Sequence, residues 1–314
     1  ADRQREAGFR GLGGLEAGVA HEERVGAEER AVGVDLGAID EAGVAGVDLG
    51  GGGGRAGDAF SIQPIVAIKD RYENTVTSGP SNNLTIRANA TITAPTAGVA
   101  STNGGSQRQA SGGVATFTTL GITGRDTNTY KLTFSISNSS ISAATQTGIT
   151  IGYGYSDRVV LTVAPAGGNA TGSPLATQPA LEVQDASGNK VQDSNDVVIV
   201  SIASAAGATL ADGSAARLAG HTVANTPGTA VAAVNGVATF TSLALFGLPN
   251  QDYILEFTIG QNPATAAAIQ VTHAAAHHLT VTSSPTGGNS SGANLAGQPV
   301  VELRDVYENV VTSN

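Results

Sequence analysis

One pattern recurs three times along the chain and limits its fold more than any other feature. It reads Gln-Pro, a run of alternating apolar residues, Asp, three residues, Asn, one residue, Val. The copies are Gln63-Pro-Ile-Val-Ala-Ile-Lys-Asp70-Arg-Tyr-Glu-Asn74-Thr-Val76, Gln178-Pro-Ala-Leu-Glu-Val-Gln-Asp185-Ala-Ser-Gly-Asn189-Lys-Val191 and Gln298-Pro-Val-Val-Glu-Leu-Arg-Asp305-Val-Tyr-Glu-Asn309-Val-Val311. Gln63 and Gln178 lie 115 residues apart, Gln178 and Gln298 lie 120 apart. That spacing is one β-sandwich domain, not a solenoid unit.

Later features repeat in step. Gly113-Val-Ala-Thr-Phe117 answers Gly236-Val-Ala-Thr-Phe240, and thirteen residues on come Tyr130-Lys-Leu-Thr-Phe-Ser-Ile136 and Tyr253-Ile-Leu-Glu-Phe-Thr-Ile259. Their period-2 alternation marks strands with one apolar face. Asn235-Gly236 between two alternating runs predicts a type I′ hairpin, which needs two residues tolerant of positive φ; Gly112-Gly113 suits the first copy equally. The full second copy predicts strands near 159–163, 180–184, 197–202, 208–210, 230–234, 237–243, 253–259 and 267–272. Such a series makes an all-β, Greek-key sandwich. Tyr130 and Tyr253, each opening a late strand, are candidates for a tyrosine-corner anchor.

Residues 1–58 have a different composition. They contain no Ser, Thr, Asn, Lys, Pro or Tyr, hold 12 of the 26 acidic and 6 of the 16 basic residues, and end near a glycine run from Gly50 to Gly54. Their frequent glycines disfavour a helix, and no clear apolar period emerges. Three readings stay open: a disordered Gly/Ala linker, a mis-framed translation of a G+C-rich gene, and a small separate domain. The module that follows, 59–157, reads as lacking its first strand, since the matching Leu-Thr-Val should fall near position 46. Residues 158–273 read as a complete module and 274–314 as the start of a third. A fragment of a longer product explains both incomplete ends; strand exchange between chains is the alternative.

Asp185-Ala-Ser-Gly-Asn189-Lys-Val191 together with Asn235-Gly-Val-Ala-Thr-Phe240 resembles the bacterial immunoglobulin-like domain of the invasin and intimin type. The resemblance covers about residues 59–314, with Glu73 and Glu308 standing where that family has a turn glycine. It implies tandem immunoglobulin-like Greek-key β-sandwiches serving as a structural or adhesive stalk of a bacterial cell-surface or secreted protein. A distal domain would then meet a host-cell, matrix or glycan surface. The alternative it implies is an accessory or carbohydrate-binding region of an extracellular enzyme. The links between copies, ten residues from Ile151 to Leu161 and eight from Val271 to Leu279, restrict bending.

Chemistry is sparse. The chain has no Cys, and so no disulfide or thiolate chemistry. A net charge of −10 argues against nucleic-acid partners, and no window is long and apolar enough for membrane insertion as a helix. The histidine cluster His273-Ala-Ala-Ala-His277-His278 lacks a nearby carboxylate and reads as a link; His21 and His221 stand alone. Asp70/Asn74, Asp185/Asn189 and Asp305/Asn309 could suggest calcium, but Asx side chains also close tight turns on their own backbone, which is the reading adopted. Five Asn-x-Ser/Thr sites, at Asn83, Asn89, Asn138, Asn169 and Asn289, are close to chance in so Ser/Thr-rich a chain. Lys69, Lys131 and Lys190 offer little for side-chain crosslinks. No catalytic, cofactor-binding or metal residue is assigned, no cofactor is expected, and the chain reads as non-enzymatic.

Overall fold

The computed structural model describes residues 29–35, 54–95, 98–137, 139–205, 215–220, 229–260, 262–266, 268–288 and 290–312. Their regular structure is all β. The first module contains β1 (Glu29–Asp35), β2 (Ile65–Asp70), β3 (Thr85–Ala94), β4 (Ser101–Asn103), β5 (Gln107–Gln109), β6 (Val114–Thr116), β7 (Gly121–Thr123), β8 (Thr129–Ile136) and β9 (Ala144–Ile149). The second contains β10 (Arg158–Val163), β11 (Ala180–Gln184), β12 (Val197–Ala205), β13 (Arg217–Ala219), β14 (Thr229–Ala232), β15 (Val237–Thr239), β16 (Ala244–Phe246), β17 (Tyr253–Thr258) and β18 (Ala264–Thr265). Then come β19 (Ala276–Ser283) and β20 (Val300–Asp305).

Strand for strand, the two modules have the same topology. The first forms sheets β1-β2-β6, β5-β3-β8-β9 and β4-β7; the second forms β10-β11-β15, β14-β12-β17-β18 and β13-β16. Ladders between strands are antiparallel throughout. Alternation in sequence becomes alternation in burial: β8 turns Tyr130, Leu132 and Phe134 inward, and β17 turns Tyr253, Leu255 and Phe257 inward. Each module closes over its own core, with Phe117 against Phe134 in the first and Phe240 against Phe257 in the second, centroids 5.5 and 5.7 Å apart. Burying each such ring stabilises by about 2–3 kcal/mol.

The two-residue turns form as predicted, but each is closed by a single bridge (Val234–Val237 and Ser111–Val114) and carries the chain from one sheet to the other rather than joining a hairpin ladder. Asn235 and Gly236 have φ of 52° and 71°, Gly112 and Gly113 of 57° and 78°. A Cβ on Gly236 would also come within 2.3 Å of the Val191 carbonyl oxygen, so glycine is required there twice over.

The predicted strand 237–243 ends at Thr239, with β16 starting beyond it at Ala244, and the repeated Gln explains the break. Gln178 donates from Nε2 to the Leu175 and Leu243 carbonyls (3.1 and 3.0 Å), while the Leu243 N–H donates to its Oε1 (2.7 Å). A side-chain amide thus replaces the ladder at Leu243, where the chain leaves β15 for β16. Gln63 holds Leu120 and the Phe60 carbonyl in the same way. At 267–272 the described residues form isolated bridges, Tyr253–Ile269 and Ala170–Thr272, rather than a ladder strand, and β13, β16 and β18 fall outside the predicted strands. The predicted strand at 208–210, and with it His21, His221, Gly50–Gly53, Asn138 and Asn289, lies outside the described residues.

The start of the first module also differs from the sequence reading. β1 pairs with β2 from Glu29↔Asp70 to Asp35↔Ile65, the place β10 takes on β11, so the opening strand comes from 29–35 rather than near 46. The boundary at 58 moves as well, because the Ala56 side chain belongs to the first core and the Ala56 N–H donates to the Gly152 carbonyl (2.9 Å). Composition hid both contributions: Val32 and Val34 keep period 2 within a segment otherwise broken by glycine.

Candidate functional site

The Asp-x-x-x-Asn turns follow β2, β11 and β20, and each is built from its own aspartate. The Asp185 Oδ1 accepts from the Ser187 and Asn189 N–H groups (2.9 and 2.8 Å), and the Asp185 N–H donates to the Asn189 carbonyl (2.9 Å). Asp305 does the same with Tyr307 and Asn309 (2.8 and 2.9 Å), and Asp70 with Tyr72 and Asn74 (2.8 and 3.0 Å). So far the three are equivalent, as their sequences predict.

The second carboxylate oxygen separates them. Asp185 Oδ2 accepts from the Asn189 amide (2.8 Å) and from the N–H of Gly154, in the link that leaves the first module (2.6 Å). Asp305 Oδ2 accepts from the Asn309 amide (3.0 Å) and from the N–H of Ala274, in the link that leaves the second (2.8 Å). Each turn therefore seizes the chain that enters its own module. Asp185 and Asn189 are both 2% exposed, Asp305 0% and Asn309 3%. In the first copy, among the described residues, Asp70 Oδ2 meets only the Asn74 amide (3.3 Å), and Asn74 is exposed.

The preceding module completes the first joint through its β7–β8 loop. Asn189 donates from Nδ2 to the Gly124 carbonyl (2.9 Å) and accepts at Oδ1 from the Asp126 N–H (3.0 Å); Arg125 donates to the Gly188 carbonyl (3.0 Å). That loop is itself pinned by the Tyr130 hydroxyl, which donates to the Arg125 carbonyl (2.6 Å). The Tyr253 hydroxyl accepts from the Leu248 N–H in the equivalent loop (2.6 Å). Burial pushes both phenols up from their ordinary pKa. On the far side of the joint Arg55 pairs with Asp193 (2.6 Å) and lies over the rings of Tyr153 and Tyr155.

The second joint is made differently. Pro249 stands where Asp126 stands in the first and has no N–H to give, and among the described residues the buried Asn309 Oδ1 meets no donor. An aromatic contact takes over: Tyr307 meets Phe246 edge-on, 5.5 Å between centroids at 88°.

Electrostatics follow from the donors. Burial alone would raise the Asp305 pKa, but the Asn309 amide and the Ala274, Asn309 and Tyr307 N–H groups outweigh it and hold the carboxyl below its ordinary value. Asp70 is also lowered, first by the Asn74 N–H. Both oxygens of Asp185 and of Asp305 already accept N–H donors, the opposite arrangement to a cation site. Among the described residues no group of three or more His, Asp or Glu side chains converges. His277 and His278 fall within β19, where His278 Nε2 lies 3.1 Å from Glu308 Oε1.

Sequence reading found the turns but not their second use, nor the Gln63 and Gln178 clamps. The available signal was that Gln, Asp and Asn recur together at fixed spacing. The exposed aromatic rings Tyr72 and Tyr155 lie in a turn and in the first joint, not along a sheet face.

No family model matches the chain, and no curated protein does. Among solved structures it is similar to the crystal structure of the S-layer protein rSbsC(31-844), at 12% identity and a TM-score of 0.26, over 80% of this chain and 27% of that one. Surface layer protein SbsC, domains 1-6, gives 11% identity and a TM-score of 0.25 over 80% and 27%; its domains 4-9 give 15% and 0.22 over 82% and 34%. The chain thus spans about a third or less of the length of each of these proteins.

Proposed function

We propose that the chain is a run of immunoglobulin-like Greek-key modules acting as a structural spacer in a bacterial cell-surface or secreted protein, without catalysis of its own. One observation carries this reading: at both joints the entering link is hydrogen-bonded to a buried aspartate of the next module. A link tied in this way fixes how one module follows another, which a spacer requires and a freely tethered binding module does not. Binding to a host-cell, matrix or glycan surface belongs to a distal domain. Spin labels on β8 and β17 of the full chain test the proposal. A single narrow distance distribution, with no saturable binding across a glycan and matrix-protein array, is the expected result. A broad distribution, or saturable binding that maps to the module surfaces, overturns it in favour of accessory binding modules.

A further inference from the structure

Strand β19 carries two imidazoles side by side. Its ladder with β20 shifts register between Ala276 and His278. Neighbouring residues of a regular strand point to opposite faces, but a bulge re-aims one of them. His277 and His278 meet in this way, with their Nδ1 atoms 3.1 Å apart, ring centroids 5.3 Å apart and planes at 83°. The register of β19 on β20 puts them in the places of Asp157 and Arg158 in the second module. There both side chains stay 35% exposed beside a full set of sheets, so the position faces solvent in a completed module.

A carboxylate that the local sequence does not supply fixes the tautomer of His278. The His278 Nε2 lies 3.1 Å from Glu308 Oε1 and donates to it, which leaves the lone pair of the neutral ring on Nδ1. Glu308 is itself held in place. Arg304 donates from Nη1 to the Glu308 carbonyl (3.0 Å), lies 3.6 Å from its Oε2 and pairs with Glu302 (2.6 Å). Two carboxylates around one guanidinium leave the surroundings net negative, which favours a cation. Glu308 also stands at φ 67°, where the second module has Gly188 at φ 83°. That backbone disfavours a side chain, and the bond to His278 gives this one a use that glycine lacks.

We propose that His277 and His278 form a two-nitrogen site for a divalent transition-metal ion, binding it through both Nδ1 atoms. With metal–nitrogen distances of about 2.0–2.1 Å, nitrogens 3.1 Å apart subtend about 95–100° at the ion, an angle that a cis pair of ligands supplies. The ion replaces the contact between the two rings, His277 keeps its proton on Nε2, and solvent fills the remaining positions. The Glu308 carboxylate orients the His278 ring and raises its basicity. Imidazole pairs of this kind bind Cu²⁺ more tightly than Ni²⁺ or Zn²⁺. The site goes beyond the spacer reading and rests on no part of it.

Cu²⁺ alone, titrated into the full chain near neutral pH and followed by calorimetry and electron paramagnetic resonance, tests the site. One ion per chain, with hyperfine structure from two imidazole nitrogens, is the expected result. His277→Ala or His278→Ala should remove the two-nitrogen pattern. Glu308→Gly should weaken binding about tenfold. That variant keeps the turn, because Gly188 already occupies the equivalent place in the second module, and unchanged thermal unfolding without metal confirms it. A spectrum unaltered by His277→Ala overturns the proposal, as does undiminished affinity in Glu308→Gly. So does an equal loss on His273→Ala, or one ion shared between two chains.

Discussion

At the first joint the Asn189 side chain reaches both Gly124 and Asp126 of the preceding module, whereas at the second, among the described residues, the corresponding Asn309 side chain reaches only Asp305 of its own turn. The same five-residue turn sits in both. What differs is the surface it meets, and the difference traces to Pro249 in place of Asp126, with Phe246 and Tyr307 supplying an aromatic contact instead. One component is common to both joints: the aspartate that accepts from the link. The turn is thus a conserved grip within the chain, and the rest of each joint is adjustable around it.

The largest expected effect comes from removing the shared component. Asp185→Ala leaves the N–H groups of Gly154, Ser187 and Asn189 without their acceptor and should destabilise the second module by about 3 kcal/mol in a denaturant titration. Asp70→Ala, which takes no link N–H, should cost less; equal losses at the two positions would mean that the link contact contributes nothing.

Next comes the partner that differs. Asn189→Ala removes two bonds to the preceding module as well as one to Asp185, for about 2 kcal/mol. Asn309→Ala removes one bond and one unpaired oxygen, for about 1 kcal/mol or less. Reversal of that order would break the comparison. Lowering the pH acts on the common element. Asp305 is held below its unfolded pKa, so its contribution is fully present above about pH 4 and is lost as pH falls through the lower folded value. Thermal unfolding between pH 6 and 2 should therefore show a loss that Asp305→Asn diminishes.

The smallest effect should come from restoring the missing donor. Pro249→Ala offers an N–H to Asn309 Oδ1, worth about 1 kcal/mol, offset by about 0.5 kcal/mol of regained freedom in the unfolded chain. A small net stabilisation, absent in an Asn309→Ala background, would show that the proline sets the difference between the joints.

Much of the fold could be read from spacing and alternation. Tyr130 and Tyr253 mark the loops they pin, and Asn235-Gly236 marks its turn, because those roles depend on neighbours a few residues away. The joints could not be read so directly. Gly154 and Asp185 are 31 residues apart, and Gln178 and Leu243 are 65 apart. The sequence displays each partner but not the meeting, since a buried Asx turn and an exposed one have the same letters. Asp70-Arg-Tyr-Glu-Asn74 and Asp305-Val-Tyr-Glu-Asn309 differ by one residue, yet Tyr72 is 69% exposed while Tyr307 packs on Phe246. The strand at 29–35 escaped for another reason: its apolar alternation is two valines long, too short to stand out from a glycine-rich surround.

Amide hydrogen exchange at Gly154 and Ala274 in the full chain tests the grip most directly. Both N–H groups should exchange far more slowly than an open link allows, with Asp185→Ala releasing Gly154 alone and Asp305→Ala releasing Ala274 alone. Free exchange at both positions in the unaltered chain would contradict the account.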